Sequence, residues 1–379
     1  MLPFRPNMQE LAAYRSEFPV TGRYIYFNHA SVGPLPRRSA VAMQDLAEDV
    51  LNHGACHGAQ WAAAMEGVRR AAATLTGCDP GEIALVKNTS EGLAIIANGL
   101  DWRPGDVVVG IEDEFPANYF PWRQLERRGV KTVWLRLTEG RIELDEIDRA
   151  CRGARLLAIS FVQYLSGFRI DLDAVGEICR RHGTLFVVDA VQGLGPFPVN
   201  VKRSGIHALA ASAHKWLLGP EGSGILFIDQ ELIPQVEPVE FGWTNVAGWR
   251  DYSHDPELRA GAARYECGTL NTIGFHGLRE SLGLFLEAGV DRVAMHIDKL
   301  TTRLLAGARE KGYQPLTTRT TQCGSGIVSL RKQGVDSGAM VRKLVAEGVV
   351  TALRFGWIRA SPHFYANETD VDRFVELLD

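Results

Sequence analysis

The chain has 379 residues, 46% of them hydrophobic and 23% charged, with a formal net charge of −4. That is enough apolar material for one large domain and a smaller one, and the mildly acidic balance gives no electrostatic case for a nucleic-acid or membrane-surface partner. No apolar run reaches membrane-spanning length and the first residues do not read as a signal peptide. Cys56, Cys78, Cys151, Cys179, Cys267 and Cys323 lie scattered without a CxxC pair, so a cytoplasmic protein with reduced thiols is expected.

In chain order, short apolar runs at 83–86, 107–110, 132–135, 156–159 and 185–188 alternate with helix-like stretches. The runs are near-continuous rather than alternating, as expected for strands covered by helices on both faces of a mostly parallel sheet. Residues 171–182 illustrate the helices: Leu172, Val175, Ile178 and Cys179 fall on one face, and Gly183 supplies a stop. A further strand is predicted over 223–228. Beyond Gly274 the texture changes to helices over 275–288 and 291–312, a strand over 326–330, a helix over 338–347, a strand over 349–351, and a terminal helix from about Thr369. The pattern predicts an α/β fold, with a large domain over 19–289. A smaller α+β domain would be formed by 290–379 with 1–18 packed on it.

The chemistry concentrates where the 185–188 strand ends in Asp189-Ala190-Val191-Gln192, followed by Ser212-Ala213-His214-Lys215. A lysine amine can form a Schiff base, and its neighbours Ala211, Ala213, Trp216, Leu217 and Leu218 are apolar, which lowers an ammonium pKa. Asp189 is either a strand-end cap or the partner of a protonated heteroaromatic nitrogen. Asn88-Thr89-Ser90-Glu91-Gly92-Leu93 opens a helix after a strand and is either a plain cap or an anion site.

Residues 186–193, 211–216 and Gly219-Pro220-Glu221-Gly222-Ser223-Gly224 together resemble the core of the class V aminotransferase family, with further matches from about Tyr26 to Tyr365. The family includes cysteine desulfurases, selenocysteine lyases, kynureninase and isopenicillin N epimerase. The resemblance implies the fold-type-I architecture, with a seven-stranded-type sheet in the large domain. It also implies pyridoxal 5′-phosphate as cofactor, a Schiff base at Lys215, and a carbanion at the substrate Cα with Asp189 supporting the ring charge. By resemblance, Thr89, Ser90, Ser212 and His214 bind the phosphate, and Phe115 stacks on the ring. Gln163 and Gln192 lie near its phenolic oxygen. Arg359 grips the substrate carboxylate, with Asn28 and His29 in the substrate-facing N-terminal segment. Thr269, in Gly268-Thr269-Leu270-Asn271, would reach the phosphate of a neighbouring subunit and so implies a homodimer.

Three features depart from that pattern or stand outside it. Phe115 stands where desulfurases have a histidine, so proton transfer assigned to that histidine does not carry over. Leu270 replaces the usual proline. No cysteine occurs over 348–358, from which the expectation follows that the enzyme is not a persulfide-forming cysteine desulfurase. His53 and His57 are four apart, but nearby glycines and the lack of a matched carboxylate argue against a metal, and none is expected. The expected activity is therefore a lyase breaking a Cβ–X bond, carbon–sulfur included, or an aminotransferase acting on an α-amino acid. An epimerase and a non-catalytic dimeric binding module are the alternatives. No GxGxxG follows the early strands, which disfavours a nucleotide-binding enzyme.

Overall fold

The computed structural model describes residues 11–252 and 254–379. The expectations about the start of the chain, and the first ten residues of the 1–18 segment, lie outside them. From the N-terminus the elements run β1 (Ile25–Tyr26), α1 (Arg37–His53), α2 (Gly58–Thr76), β2 (Ile83–Val86), α3 (Thr89–Gly99), β3 (Val107–Ile111), α4 (Phe120–Arg123) and β4 (Lys131–Leu135). There follow α5 (Leu144–Cys151), β5 (Leu156–Ser160), α6 (Leu172–His182), β6 (Leu185–Asp189), β7 (Ala208–Ser212) and β8 (Gly224–Ile228). The remainder comprises α7 (Thr272–Ala288), α8 (Val290–Glu310), β9 (Gln314–Pro315), β10 (Val328–Arg331), α9 (Ser337–Ala346), β11 (Val349–Val350), β12 (Ala352–Arg354), β13 (Trp357–Ala360) and α10 (Glu368–Glu376).

Seven strands form one sheet in the order β2-β8-β7-β6-β5-β3-β4. Only β8 runs against its neighbours; the other pairings are parallel. This is the mostly parallel sheet that the continuous apolar runs predict. Successive side chains of a strand point to opposite faces, and both faces are covered. Phe186 and Val188 of β6 join one hydrophobic cluster with residues of α2, α6 and α7. Val187 joins a second cluster with α3 and with Trp122 of α4. The helix over 171–182 begins one residue later than predicted. The Asp171 carboxylate accepts from the N–H groups of Asp173 and Ala174, and Gly183, at φ 66°, closes the other end. Each such cap contributes about 1 kcal/mol.

A four-stranded antiparallel sheet, in the order β12-β13-β10-β9, packs with α8, α9 and α10 around Phe27, Leu300, Tyr313, Leu330, Ile358 and Phe374. The predicted strand over 349–351 is shorter than expected. It pairs in parallel with β1, and β12 and β13 follow it almost at once. A strand of two residues carries too little of a pattern for its ends to be legible in the sequence. The Phe18 ring stacks on Tyr365 at 3.8 Å, and Arg15 pairs with Asp370 at the start of α10 at 2.6 Å. No helix among the described residues is long and apolar enough to cross a membrane.

Candidate active site

In open α/β sheets, ligands collect at the carboxyl ends of the parallel strands, and the predicted residues lie there. Asp189 closes β6, Ser212 closes β7 three residues before Lys215, and Thr89 begins α3 just after β2. A cavity of about 600 Å³ is lined by Thr89, Ser90, Phe115, Asp189, Gln192, Ser212, His214, Lys215 and Arg359, nine of the predicted set. A neighbouring cavity of about 760 Å³ shares Ser90, Pro116 and Ala117 with it but is not lined by Lys215, Asp189 or Arg359.

Backbone packing fixes the lysine. The N–H of Gly33 donates to the carbonyl of His214 at 2.7 Å, and a Cβ on Gly33 would sit 2.3 Å from the Lys215 carbonyl oxygen, so only glycine fits. The lysine ammonium lies 5.1 Å from the centre of the Phe115 ring. Burial lowers the Lys215 pKa to about 8; Asp189 opposes the shift, while Arg359 and Arg354 add to it. Asp189, 2% exposed, is pushed up to about 6, chiefly by burial, against the Val191 N–H bond and the attraction of Lys215. For both groups, loss of solvent outweighs their mutual attraction, which leaves a soft acid and a soft base in one cavity. Behind them Glu114, bonded to the Ser160 N–H at 2.7 Å and to its hydroxyl, is raised to about 7, first by burial and then by Asp189.

A second cluster suits an anion. The hydroxyls of Thr89 and Ser212 lie 2.9 Å apart, and each accepts from the other residue's N–H at 2.8–2.9 Å. Thr89 and Ser90 open α3, whose first-turn N–H groups and dipole favour negative charge. The His214 pKa is lowered, first by burial and then by Lys215, which favours the neutral, hydrogen-bonding ring. Gln192 is held from both ends: its amide nitrogen donates to the Ala30 carbonyl at 3.1 Å, and its oxygen accepts from the Trp216 indole at 2.7 Å.

Arg359, 2% exposed, donates to the Tyr164 carbonyl at 2.8 Å and to the Ser31 hydroxyl at 2.7 Å, while its Nε is buried without a partner. Burial, then the nearby Arg354, lowers its pKa to about 10. The set of an amine, a buried carboxylate, an aromatic face, a hydroxyl cradle at a helix start and a guanidinium without a carboxylate partner among the described residues fits a phosphorylated heteroaromatic aldehyde beside a carboxylate-bearing substrate.

Four predicted residues do not line this cavity. Gln163 is turned inward, donating to the Asp113 carbonyl at 2.9 Å and accepting from the N–H groups of Leu165 and Ser166, so its amide braces a turn. The next residue, Tyr164, lines the cavity instead. His29 is fully buried with both ring nitrogens engaged, by the Ser361 carbonyl at 2.8 Å and the Tyr365 hydroxyl at 2.7 Å; Asn28 is half-buried and bridges to Ser361. Their neighbours Ala30 and Ser31 reach the cavity. Thr269 is exposed and lies outside the lining, on a loop tied down by the buried bidentate pair Arg69–Glu266. Ser31, Tyr164 and Arg354 line the cavity and were not picked out from the sequence. Arg354 ends the three-residue strand β12, and the Phe355-Gly356 that follows is not a dipeptide that marks a hairpin by itself.

The reasoning against a metal needs a correction too. Asp49, four residues before His53, places one carboxylate oxygen 3.0 Å from the His53 Nδ1 and 2.6 Å from the His57 Nδ1, so the carboxylate judged missing is there. Their ligand atoms all lie within 4.8 Å of one another.

The aminotransferase class-V family model matches residues 25–374. A probable cysteine desulfurase of Pyrococcus abyssi is 28% identical over 96% of both chains. Another, of Methanothermobacter thermautotrophicus, is 32% identical over 77% of this chain and 74% of its own. The solved apo cysteine desulfurase of Thermococcus onnurineus NA1 superposes with a TM-score of 0.90 at 26% identity, covering 98% of each chain. These similarities overturn the exclusion of a persulfide-forming desulfurase. That exclusion rested on one stretch of sequence, whereas a nucleophilic thiol is defined by its reach in space; Cys56 and Cys267 are exposed on other segments.

Proposed function

The chain belongs to the aminotransferase class-V family, and on that premise we propose that it cleaves the Cβ–S bond of a thiol-bearing α-amino acid, with L-cysteine the first to test. Its cofactor is pyridoxal phosphate. The observation that carries the reading is that Lys215, Asp189 and Arg359 line one cavity; the sulfur specificity is supported by relatives named cysteine desulfurases.

The residues present fit the cofactor. Lys215 would hold its aldehyde, Asp189 its ring nitrogen, and Thr89, Ser90, Ser212 and His214 its phosphate, with Phe115 and Gln192 bordering the ring. When bound, pyridoxal phosphate supplies an electron sink for negative charge at the substrate Cα. The protein's own part is to position and to move protons. Arg359, whose terminal nitrogens each keep a further N–H, would donate to the α-carboxylate, which fixes which Cα bond faces the ring. Lys215, with an amine softened by burial, takes the Cα proton and is placed to return one. Asp189 stays anionic once a cationic nitrogen stands against it, since an opposite charge reverses the effect of burial. Phe115 contributes a face but no proton.

Thr269, exposed on its loop, is assigned here to a neighbouring subunit's phosphate in a homodimer. Sedimentation of the holoenzyme at micromolar concentration should give the mass of two chains.

The decisive assay incubates holoenzyme with L-cysteine and measures released or protein-bound sulfur together with alanine, pyruvate and ammonia. The expected result is sulfur release matched by one of those carbon products, and its loss in Lys215→Ala. If no sulfur appears and an added 2-oxo acid instead takes up the amino group, the chain is an aminotransferase and the proposal is wrong.

A further inference from the structure

Asp49, His53 and His57 stand apart from the cavity that holds Lys215, and none of them lines it. Asp49 and His53 are four residues apart on α1, so the helix itself sets them on one face, a turn apart. His57 cannot be brought to them in that way. A continuous helix rises about 1.5 Å per residue, so eight positions would carry His57 about 12 Å along the axis from Asp49. The chain instead breaks at Gly54, whose φ of 58° and ψ of −127° suit a residue without a Cβ. A Cβ there would meet nothing, so the demand for glycine comes from the backbone alone. The turn then closes through the Cys56 N–H on the His53 carbonyl at 3.3 Å and the Gly58 N–H on the Ala55 carbonyl at 3.1 Å, and α2 begins. His57 is thereby returned to the end of α1.

Both rings meet at one carboxylate oxygen. Oδ1 of Asp49 lies 3.0 Å from the His53 Nδ1 and 2.6 Å from the His57 Nδ1, and the ring centres are 5.0 Å apart. The other Asp49 oxygen accepts from the Trp61 indole at 2.9 Å, so the first turn of α2 holds the carboxylate in place. Two imidazole nitrogens and a carboxylate oxygen within 4.8 Å of one another form a donor set suited to zinc and its neighbours in the first transition row. Around such an ion the donors stand about 2.0–2.2 Å from the metal and so about 3.4 Å from one another. The present contacts need to open by less than about 1 Å, and the three side chains, half-exposed at a helix corner, have room to do so. Between Arg38 and Arg69 the sequence carries Asp45, Glu48, Asp49 and Glu66 but no lysine or arginine, so this stretch of α1 and α2 supplies no fixed cation to compete.

We propose that Asp49, His53 and His57 form a binding site for a divalent transition-metal ion that ties the end of α1 to the start of α2. Each ring coordinates through Nδ1 with its proton on Nε2, so a neutral ring gives up no proton, and the carboxylate supplies one negative charge. Three protein donors leave a fourth position to water. Both α1 and α2 pack on α7, so the ion joins the free ends of two helices already held on a common support. The site is independent of the proposed lyase reaction, and it reverses the expectation that no metal is bound.

The test titrates tag-free holoenzyme, first cleared with a chelator, with zinc(II) chloride in a calorimeter. Wild type should take up about one ion per chain at this site, and Asp49→Ala and His57→Gln should each weaken that binding by at least about tenfold. Cys56→Ser, which removes the exposed thiol between the two histidines, should bind within about twofold of wild type. Binding that survives both Asp49→Ala and His57→Gln, or that is lost in Cys56→Ser, would overturn the site. A wild type giving no more heat than Asp49→Ala would leave the three groups a hydrogen-bonded trio and refute it as well. In the copper(II)-loaded protein, electron paramagnetic resonance should show coupling to two imidazole nitrogens, and to one in His57→Gln; the same nitrogen count in both proteins contradicts the assignment. The cofactor's visible absorbance should match wild type in every variant, which confirms that the fold survives.

Discussion

At the scale of single residues, Lys215 is the group whose state the surroundings alter most usefully. An exposed ammonium would be almost wholly protonated at neutral pH, whereas burial brings Lys215 to about 8. Only the neutral amine adds to an aldehyde, so the rate at which apoprotein takes up pyridoxal phosphate should climb about tenfold per pH unit and level off above pH 8. Stopped-flow absorbance over pH 6–10 reads this directly, and a rate still climbing at pH 10 would contradict it. That Asp189, Ser212, His214 and Lys215 belong together was legible in the sequence, because they sit in compact motifs whose neighbours are themselves informative, and the structure brings them to one cavity. Asn28, His29 and Gln163 were not, for a common reason: a one- or two-residue change decides whether a side chain faces the cavity or the packing behind it. No periodicity marks that choice in a turn. His29 spends both ring nitrogens on Ser361 and Tyr365, while Ser31, two residues on, opens to the site.

At the scale of elements, the site depends on close backbone approaches more than on any one strand. The loop through Gly33 docks on the His214–Lys215 backbone, with room for no side chain. Gly33→Ala should push that loop away and cost the protein about 1–3 kcal/mol of stability, the usual range for overpacking. It should also weaken pyridoxal-phosphate retention, measured as visible absorbance after dialysis against the same change in urea midpoint. Unaltered retention at unaltered stability would show that the contact is not restrictive. Six of the seven strands of the large sheet were legible as continuous apolar runs, whereas the alanine-rich β7 carries no such run and was not picked out. The β12–β13 hairpin was not legible either, since neither Ala352–Arg354 nor Trp357–Ala360 is a continuous apolar run, and their pairing emerges only from register.

At the scale of the whole molecule, the described N-terminal segment is bound to the C-terminal region through buried contacts. His29 meets Tyr365, Phe18 stacks on the same ring, and Arg15 reaches Asp370. Burial lowers the His29 pKa from 6.5 to about 4. The folded state therefore favours the neutral ring, while the unfolded chain protonates below 6.5. Stability from this group is fully present above pH 6.5 and is lost as pH falls toward 4, by about 3 kcal/mol at most. Urea midpoints at pH 7.5, 5.5 and 4.5 should fall more steeply for wild type than for His29→Gln; parallel curves would show that the histidine contributes no linkage. The cavity is likewise assembled from distant parts of the chain, since Ser31 and Arg359, bonded to each other in its wall, are 328 positions apart. During synthesis the ribosome releases Thr89, Asp189, Ser212 and Lys215 well before Arg354 or Arg359. The wall of the cavity carried by Arg354 and Arg359 is therefore the last part of it to be synthesised.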